Sequence, residues 1–275
     1  FEANLALQLE NNPEKAHLLL TEAAQLAELD EIYVMRALLI YRSDNADAAL
    51  EYLQDRQDIR SINIKLSVLL GSQRFADANN LVTTITQPNA ETYRLMALLH
   101  LTQRNLNEAQ ASIRRAVELE SEWLSIRFVN AVINYWLALS IEALPPYLIA
   151  WPEPVDSALV KRDADSIRSL KQAQEEFYKL IQFSETPWVQ EPSAWYLASL
   201  AIDPDQQEKA KIYCQDLLSE DPLYIPAIMW NILRGYGIDL NISIEKLEES
   251  ITKDNTKLPT ILTLLDCYTV QAEYD

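Results

Sequence analysis

AETYRLMALLHLTQRNLNEAQASIRRAVEL, residues 90–119, decides the fold. Two apolar-periodic runs flank a polar break at Gln103-Arg104-Asn105. In the first run, Tyr93, Met96, Ala97 and His100 recur at helical spacing. In the second, Ala109, Ile113 and Ala116 stand at offsets of 0, +4 and +7, which fall on one face of an α-helix. The small residues let a neighbouring helix approach closely, and the bulky one fills the gap between helix pairs. The pattern predicts an antiparallel helical hairpin, and it returns along the chain. The small position recurs at Ala16, Ala49, Ala78 and Ala109, at intervals of 33, 29 and 31 residues. The +4 position is Leu20, Leu53, Val82 or Ile113, and the +7 position is Ala23, Arg56, Ile85 or Ala116. A late copy ends Ala210, Cys214, Leu217, Pro222. Self-similarity at such a period is the signature of stacked supersecondary units.

The punctuation agrees. Asn11-Asn12-Pro13, Ser43-Asp44-Asn45 and Gly71-Ser72-Gln73 are short polar breaks, and Asn, Asp and Gly suit the left-handed residue that often ends a helix. Pro88-Asn89 separates one hairpin from the next. The 275 residues include only three glycines, against 49% hydrophobic residues, which argues against turn-rich β folds and Gly-rich phosphate loops. No run alternates strictly between apolar and polar, so the fold class is all-α.

The formal charge of −18 opposes nucleic-acid binding, whose affinity comes largely from neutralising phosphates, and opposes anionic membranes for the same reason. Acidic outer faces keep a repeat array soluble, and they favour a basic partner if any. Cys214 and Cys267 share no metal-ligand spacing with the two histidines, His17 and His100, so neither a zinc site nor a cofactor is expected. The absence of a disulfide framework points to a reducing, cytoplasmic compartment. Cys214 falls on a bulky core position.

The middle departs from the repeat. Trp123–Trp151 is strongly apolar, but Arg127, Asn130, Asn134 and Glu142 interrupt it and Pro145-Pro146 breaks it. It reads as a long helix packed on several sides rather than a membrane span. Pro145, Pro146, Pro152 and Pro154 mark an irregular connector. A charged helix is expected from about 156 to 184, with the ladder Ile167, Leu170, Gln174, Phe177, Leu180 and Ile181. Residues 185–192 form a second Pro-containing break. The expected organisation is repeats over 1–121, an irregular segment of the same stack over 122–192, and repeats again over 193–275. Phe1 and Asp275 look like cut ends of a longer protein.

The hairpin copies resemble the tetratricopeptide repeat (TPR) family. Tyr93 stands at its aromatic position, Met96-Ala97 in place of Leu-Gly, and His100 in place of Tyr. Ala109, Ile113 and Ala116 match its second helix, with Ser121 where Pro is usual. The late copy carries Trp195 in its first helix and Ala210, Cys214, Leu217 and Pro222 in its second, without Leu-Gly. The copies are degenerate, and other α-solenoid families share the hairpin plan. The resemblance implies a right-handed superhelix whose first helices line a concave groove for a peptide or a partner's helix. The implied groove positions include Val34, Leu38 and Ser67, and above all Tyr41, Arg42, Asn63, Arg94, Leu98, Leu101 and Tyr196. Arg42 and Arg94 suit a ligand's carboxylates, with ordinary solvated charge as the alternative. Leu38 and Leu98 stand where carboxylate-clamp members place Asn, which disfavours binding of chaperone C-termini.

No GxSxG, HExxH, P-loop or dinucleotide fingerprint is present. His100 takes a core slot and His17 follows a small inner-face position. Acidic groups such as Glu118/Glu120/Glu122 are expected by chance among 41 acidic residues, and Asp203-Pro204-Asp205 reads as a turn with Asp205 as N-cap. Trp123, Trp136, Trp195 and Trp230 are expected in the core, and Trp151 and Trp188 are candidates for exposed contacts. The sequence therefore points to a non-catalytic adaptor or scaffold. The alternative is a sensor or regulatory region of a larger signalling, defence or transcription-control protein, whose partner is another domain of its own chain. An enzyme or small-molecule receptor using 123–151 is a third reading.

Overall fold

A computed structural model describes residues 15, 18–20, 22, 30–42, 45–139, 160–183, 190–253, 263, 264 and 267. The protein is all-α; among the described residues no strand forms, and a lone antiparallel bridge joins Leu139 to Val160. Two compact units divide it, one comprising Phe1–Gln103 and Asn107–Ser121, the other Arg104–Leu106 and Glu122–Asp275.

In the first unit, α1 (Asp30–Arg42), α2 (Ala46–Tyr52), α3 (Ile59–Gly71), α4 (Phe75–Thr83), α5 (Ala90–Thr102) and α6 (Leu106–Leu119) follow one another. Helix α1 packs on α2, and α3 on α4, as hairpins. Helices α1, α3 and α5 lie side by side, while α2 also meets α3 and α4 meets α5. The small positions explain the closeness: Ala49, Ala78 and Ala109 are fully buried, and Leu20, Leu53 and Ile113 are buried beside them. Asn45 and Asp58 start α2 and α3, their side-chain oxygens each accepting a backbone N–H at 2.9 Å.

Two expectations need correction here. Helices α2 and α4 are too short to carry the +7 position, so Arg56 and Ile85 lie beyond them, whereas α6 holds all three offsets; Ala16 and Ala23 of the first copy lie outside the described residues. The left-handed residues at the breaks are Gln73 (φ 59°) and Arg104 (φ 60°), not glycine. At the end of α3, Gln73 N–H donates to Leu70 O at 3.1 Å and Arg74 N–H to Leu69 O at 2.8 Å, closing a Schellman motif. Gly71 serves a different need. It is the last residue of α3, and a Cβ there would collide with the Tyr41 hydroxyl.

The second unit holds α7 (Leu124–Leu137), α8 (Ala164–Gln182), α9 (Gln190–Ala201), a 3-10 turn (Pro204–Gln206), α10 (Gln207–Glu220), α11 (Ile225–Arg234) and α12 (Asn241–Lys253). Helix α9 is its axis, packing on α7, α8, α10 and α11, and every residue from Pro192 to Asp203 is buried. The core is aromatic. The Trp195 ring lies 5.3 Å from Tyr135, 5.7 Å from Trp136, 6.0 Å from Phe177 and 6.5 Å from Phe128, mostly edge to face. Trp136, Trp195 and Trp230 are buried as expected. Trp123 is not: it precedes the first residue of α7 and is 46% exposed. Trp151 and Trp188, like His17, lie outside the described residues.

The apolar helix is shorter than its composition suggests. It ends at Leu137 and turns at Ala138, while residues 140–159, with their prolines, lie outside the described set. The charged helix begins later than expected, at Ala164, because Asp163 caps it: its carboxylate accepts from the Ser166 N–H at 2.9 Å and hydroxyl at 2.8 Å. Leu170, Phe177 and Leu180 of the ladder are buried and Ile167 is exposed. Gln174 crosses to α9, its Nε2 donating to Ser199 O at 3.0 Å and to Asp203 Oδ2 at 3.1 Å. Asp203, not Asp205, is the turn's cap, its Oδ1 accepting from the Asp205 N–H at 3.0 Å. Cys214 is a buried filler whose thiol donates to Ala227 O at 3.2 Å; burial pushes its pKa to about 12.

Helices α7 and α8 are also joined by charge. Arg127 Nε meets Glu176 Oε2 at 2.9 Å, and Lys179 Nζ meets Glu176 Oε1 at 2.9 Å. Burial pushes the Glu176 carboxyl up, but hydrogen bonds from Lys179 and Arg127 and their charges outweigh it and hold it below the usual value. A carboxyl depressed in the folded state contributes stability above its unfolded pKa, and that contribution is lost as pH falls through the folded one. Acid titration of wild type should therefore show stability falling below about pH 4.5. In Glu176→Gln, denaturant midpoints measured at each pH should be lower near neutrality and flatter on the acid side.

Candidate partner-binding face

Six of the seven candidate residues lie on α1, α3 and α5 of the first unit, and Tyr196 lies on α9 of the second. Tyr41 is half-buried on α1, its hydroxyl against Gly71 of α3, so the absence of a side chain at Gly71 sets where the phenol sits. Arg42, the last residue of α1, is exposed. Arg94 on α5 is half-buried, and its guanidinium forms a fork with Glu91 one turn earlier, Nε to Oε2 at 2.7 Å and Nη2 to Oε1 at 2.6 Å. A ligand carboxylate at Arg94 therefore meets a cation that is already oriented and already paired. Leu98 is half-buried and packs on the cluster Leu66, Leu69, Ala78, Leu95 and Leu99.

The other three candidates are corrected by burial. Leu101 has no exposed surface, and Tyr196, at 3%, is enclosed between Tyr178 (5.6 Å) and Tyr213 (5.0 Å), with Lys209 over its ring at 5.5 Å. Asn63 is 6% exposed and has a structural task. Its Nδ2 donates to Asn89 Oδ1 at 3.1 Å, and its Oδ1 accepts from the Thr92 hydroxyl at 2.7 Å. Asn89 and Thr92 form the capping box of α5: Asn89 Oδ1 accepts from Thr92 N–H at 2.9 Å, and Thr92 Oγ1 accepts from Asn89 N–H at 3.3 Å. Asn63 thus couples α3 to the start of α5.

A further feature of this row escaped the sequence reading. Tyr33 of α1 and Tyr52 of α2 stack at 6.0 Å and 27°, with the Arg56 guanidinium 3.9 Å over Tyr33 and Arg36 5.5 Å over Tyr52. Burial raises the Tyr52 pKa, with Arg36 pulling the other way. Burial lowers that of Lys65, whose Nζ donates to Arg56 O at 2.7 Å and Gln54 O at 3.2 Å. The only signal in the sequence was the spacing of Tyr33 and Arg36 on one helix face. His100 is half-buried, burial holds its pKa below the usual value, and its Nδ1 has no hydrogen-bond partner.

Among the described residues no cluster of three His, Cys, Asp or Glu has the arrangement to hold a metal ion, and no helix is long and apolar enough to cross a membrane. No protein-family model matches the chain, and no curated protein matches it.

Proposed function

We propose that the first unit is a non-catalytic, TPR-like protein-binding module, its hairpins stacked in the right-handed sense, with a peptide or partner segment lying along α1, α3 and α5. Tyr41, Arg42 and Arg94 make the polar contacts and Leu98 the apolar one. The observation that carries this reading is the side-by-side packing of the three first helices with Arg42 exposed and Arg94 held ready by Glu91. An arginine fork matches carboxylates in two-point geometry, so the segment bound carries Asp, Glu or a chain terminus there. The ligand is a separate protein or another domain of the parent chain, in a reducing, cytoplasmic setting. Neither nucleic acid nor membrane is contacted.

Site-specific photo-cross-linking in the full chain tests it. Benzoyl-phenylalanine in place of Arg42 or Leu98 should capture the same partner peptide, while the same group at exposed Arg115 on α6 should not. Arg42→Glu/Arg94→Glu should abolish a wild-type pull-down of that partner while the protein stays folded by far-UV circular dichroism, its midpoint lowered only by the loss of the Arg94–Glu91 pair. Capture from position 115 alone, or retention by the double variant, overturns the assignment.

A further inference from the structure

A row of tyrosines crosses three helices of the second unit. Tyr178 on α8 and Tyr213 on α10 lie 5.6 Å and 5.0 Å from Tyr196 on α9, ring centre to ring centre. Helices α8 and α10 both pack on α9, so the rings run from one flank of α9 to the other. Tyr196 is closed in at the centre of the row. Tyr178 is not: it is 51% exposed, although the same helix buries Leu170, Ala173 and Phe177. A half-open tyrosine brings a large contact area and few rotatable bonds, which is why such rings anchor partners.

The charges beside the row have one sign of complement. Lys209, Tyr213, Asp216 and Glu220 follow one another at spacings of 4, 3 and 4, which sets them on one face of α10. That face meets α9, because Lys209 Nζ lies 5.5 Å over the Tyr196 ring. Asp216 and Glu220 are exposed, and among the described residues neither has an ion-pair partner. Burial pushes the Tyr213 phenol up to about 12; the Ser193 hydroxyl pulls the other way, and the charges of Glu220 and Asp216 add to the rise. Both carboxylates therefore stand close to this end of the row. A phenol face attracts a cation within about 6 Å, and the chain's own Lys209 already takes such a place. Open aromatic surface with unpaired carboxylates at its rim suits ammonium and guanidinium groups and repels an acidic segment. The net charge of −18 adds attraction of the same sign.

We infer that the row formed by Tyr178, Tyr196 and Tyr213, with Asp216 and Glu220 at its rim, docks a lysine- or arginine-bearing segment of a partner protein. One cationic head lies over Tyr178 and others pair with the two carboxylates, while the aliphatic stems cover the rings. The surface lies wholly within the second unit, and its test does not depend on the reading of α1, α3 and α5.

Fluorescently labelled octalysine is titrated with the full chain at physiological ionic strength, where exposed charges more than about 8 Å away are largely screened, and its anisotropy is followed. Wild type should bind it saturably and should not bind labelled octaglutamate. Asp216→Lys/Glu220→Lys should weaken binding about tenfold. Glu245→Lys/Glu249→Lys, the same change of charge at exposed positions of α12, should weaken it less than about twofold. The ring is tested at constant charge. Tyr178→Phe should bind as wild type does, and Tyr178→Leu, at a position open enough to leave folding intact, about threefold more weakly. Equal weakening by the two charge reversals would mean diffuse attraction alone and overturns the proposal. So does equal binding by Tyr178→Phe and Tyr178→Leu, or a wild-type chain that does not bind octalysine saturably.

Discussion

Trp195→Ala should destabilise the protein by about 3–5 kcal/mol, the range for deleting a large buried aromatic. The expected loss follows from its place at the hub of the second unit. Phe128, Tyr135, Trp136 and Phe177 all lie within 6.5 Å of its ring, and they come from two different helices, α7 and α8. Removing the indole opens a cavity that several facing rings line, and rigid rings collapse into such a space poorly. Denaturant unfolding followed by far-UV circular dichroism should show the midpoint falling sharply. Trp195→Phe, which keeps a ring in the gap, should recover more than half of the loss. A Trp195→Ala protein with an unchanged midpoint would mean that the aromatic cluster does not hold α9 against α7 and α8.

The second large effect is expected at a cap. Asn89→Ala should cost about 2–3 kcal/mol, combining the usual loss of an N-cap with the burial of an orphaned donor. Asn89 Oδ1 accepts from both Thr92 N–H and Asn63 Nδ2, so its removal frays the start of α5 and strands the Asn63 amide inside the protein. Asn63→Leu should cost less, about 1–2 kcal/mol, because the Thr92 hydroxyl can turn to Asn89 Oδ1, 2.9 Å away. The order of the two losses, measured by equilibrium unfolding, checks the network. It also separates structure from binding. If Asn63 contacted a partner, Asn63→Leu would weaken capture at unchanged stability, whereas burial predicts the opposite.

The hairpin plan was legible because small residues at a fixed spacing have one physical use, close helix approach. Ala49, Ala78 and Ala109 are buried as that use requires. Helix ends were less legible. Asp163 starts α8 later than the expected position near 156, and Asp203 rather than Asp205 holds the turn after α9, because an acidic cap is recognised by which N–H groups it reaches. The candidate face was read least well. Spacing places Asn63, Leu101 and Tyr196 on a helix face, but what covers that face comes from elsewhere in the chain. For Asn63 the covering residue is Asn89, in the cap of the next hairpin. For Tyr196 it is Tyr178 and Tyr213, on helices that flank its own. Gly71 looked like turn punctuation, and its contact with Tyr41, thirty residues earlier, has no local trace.

The uneven placing of indoles has an optical consequence. All six tryptophans fall between Trp123 and Trp230, within the second compact unit, and the first contains none. Intrinsic emission excited at the red edge of the absorption band therefore watches one unit, while the amide signal watches both. Within the emitting unit, Trp136 and Trp195 stand nearly perpendicular at 84° and 5.7 Å, close enough for their transitions to couple and give the native core its own near-ultraviolet signature. Recording the two signals in one melt gives a direct reading of cooperativity. Superimposed curves mean that the two units melt together, and separated curves give the order in which they unfold.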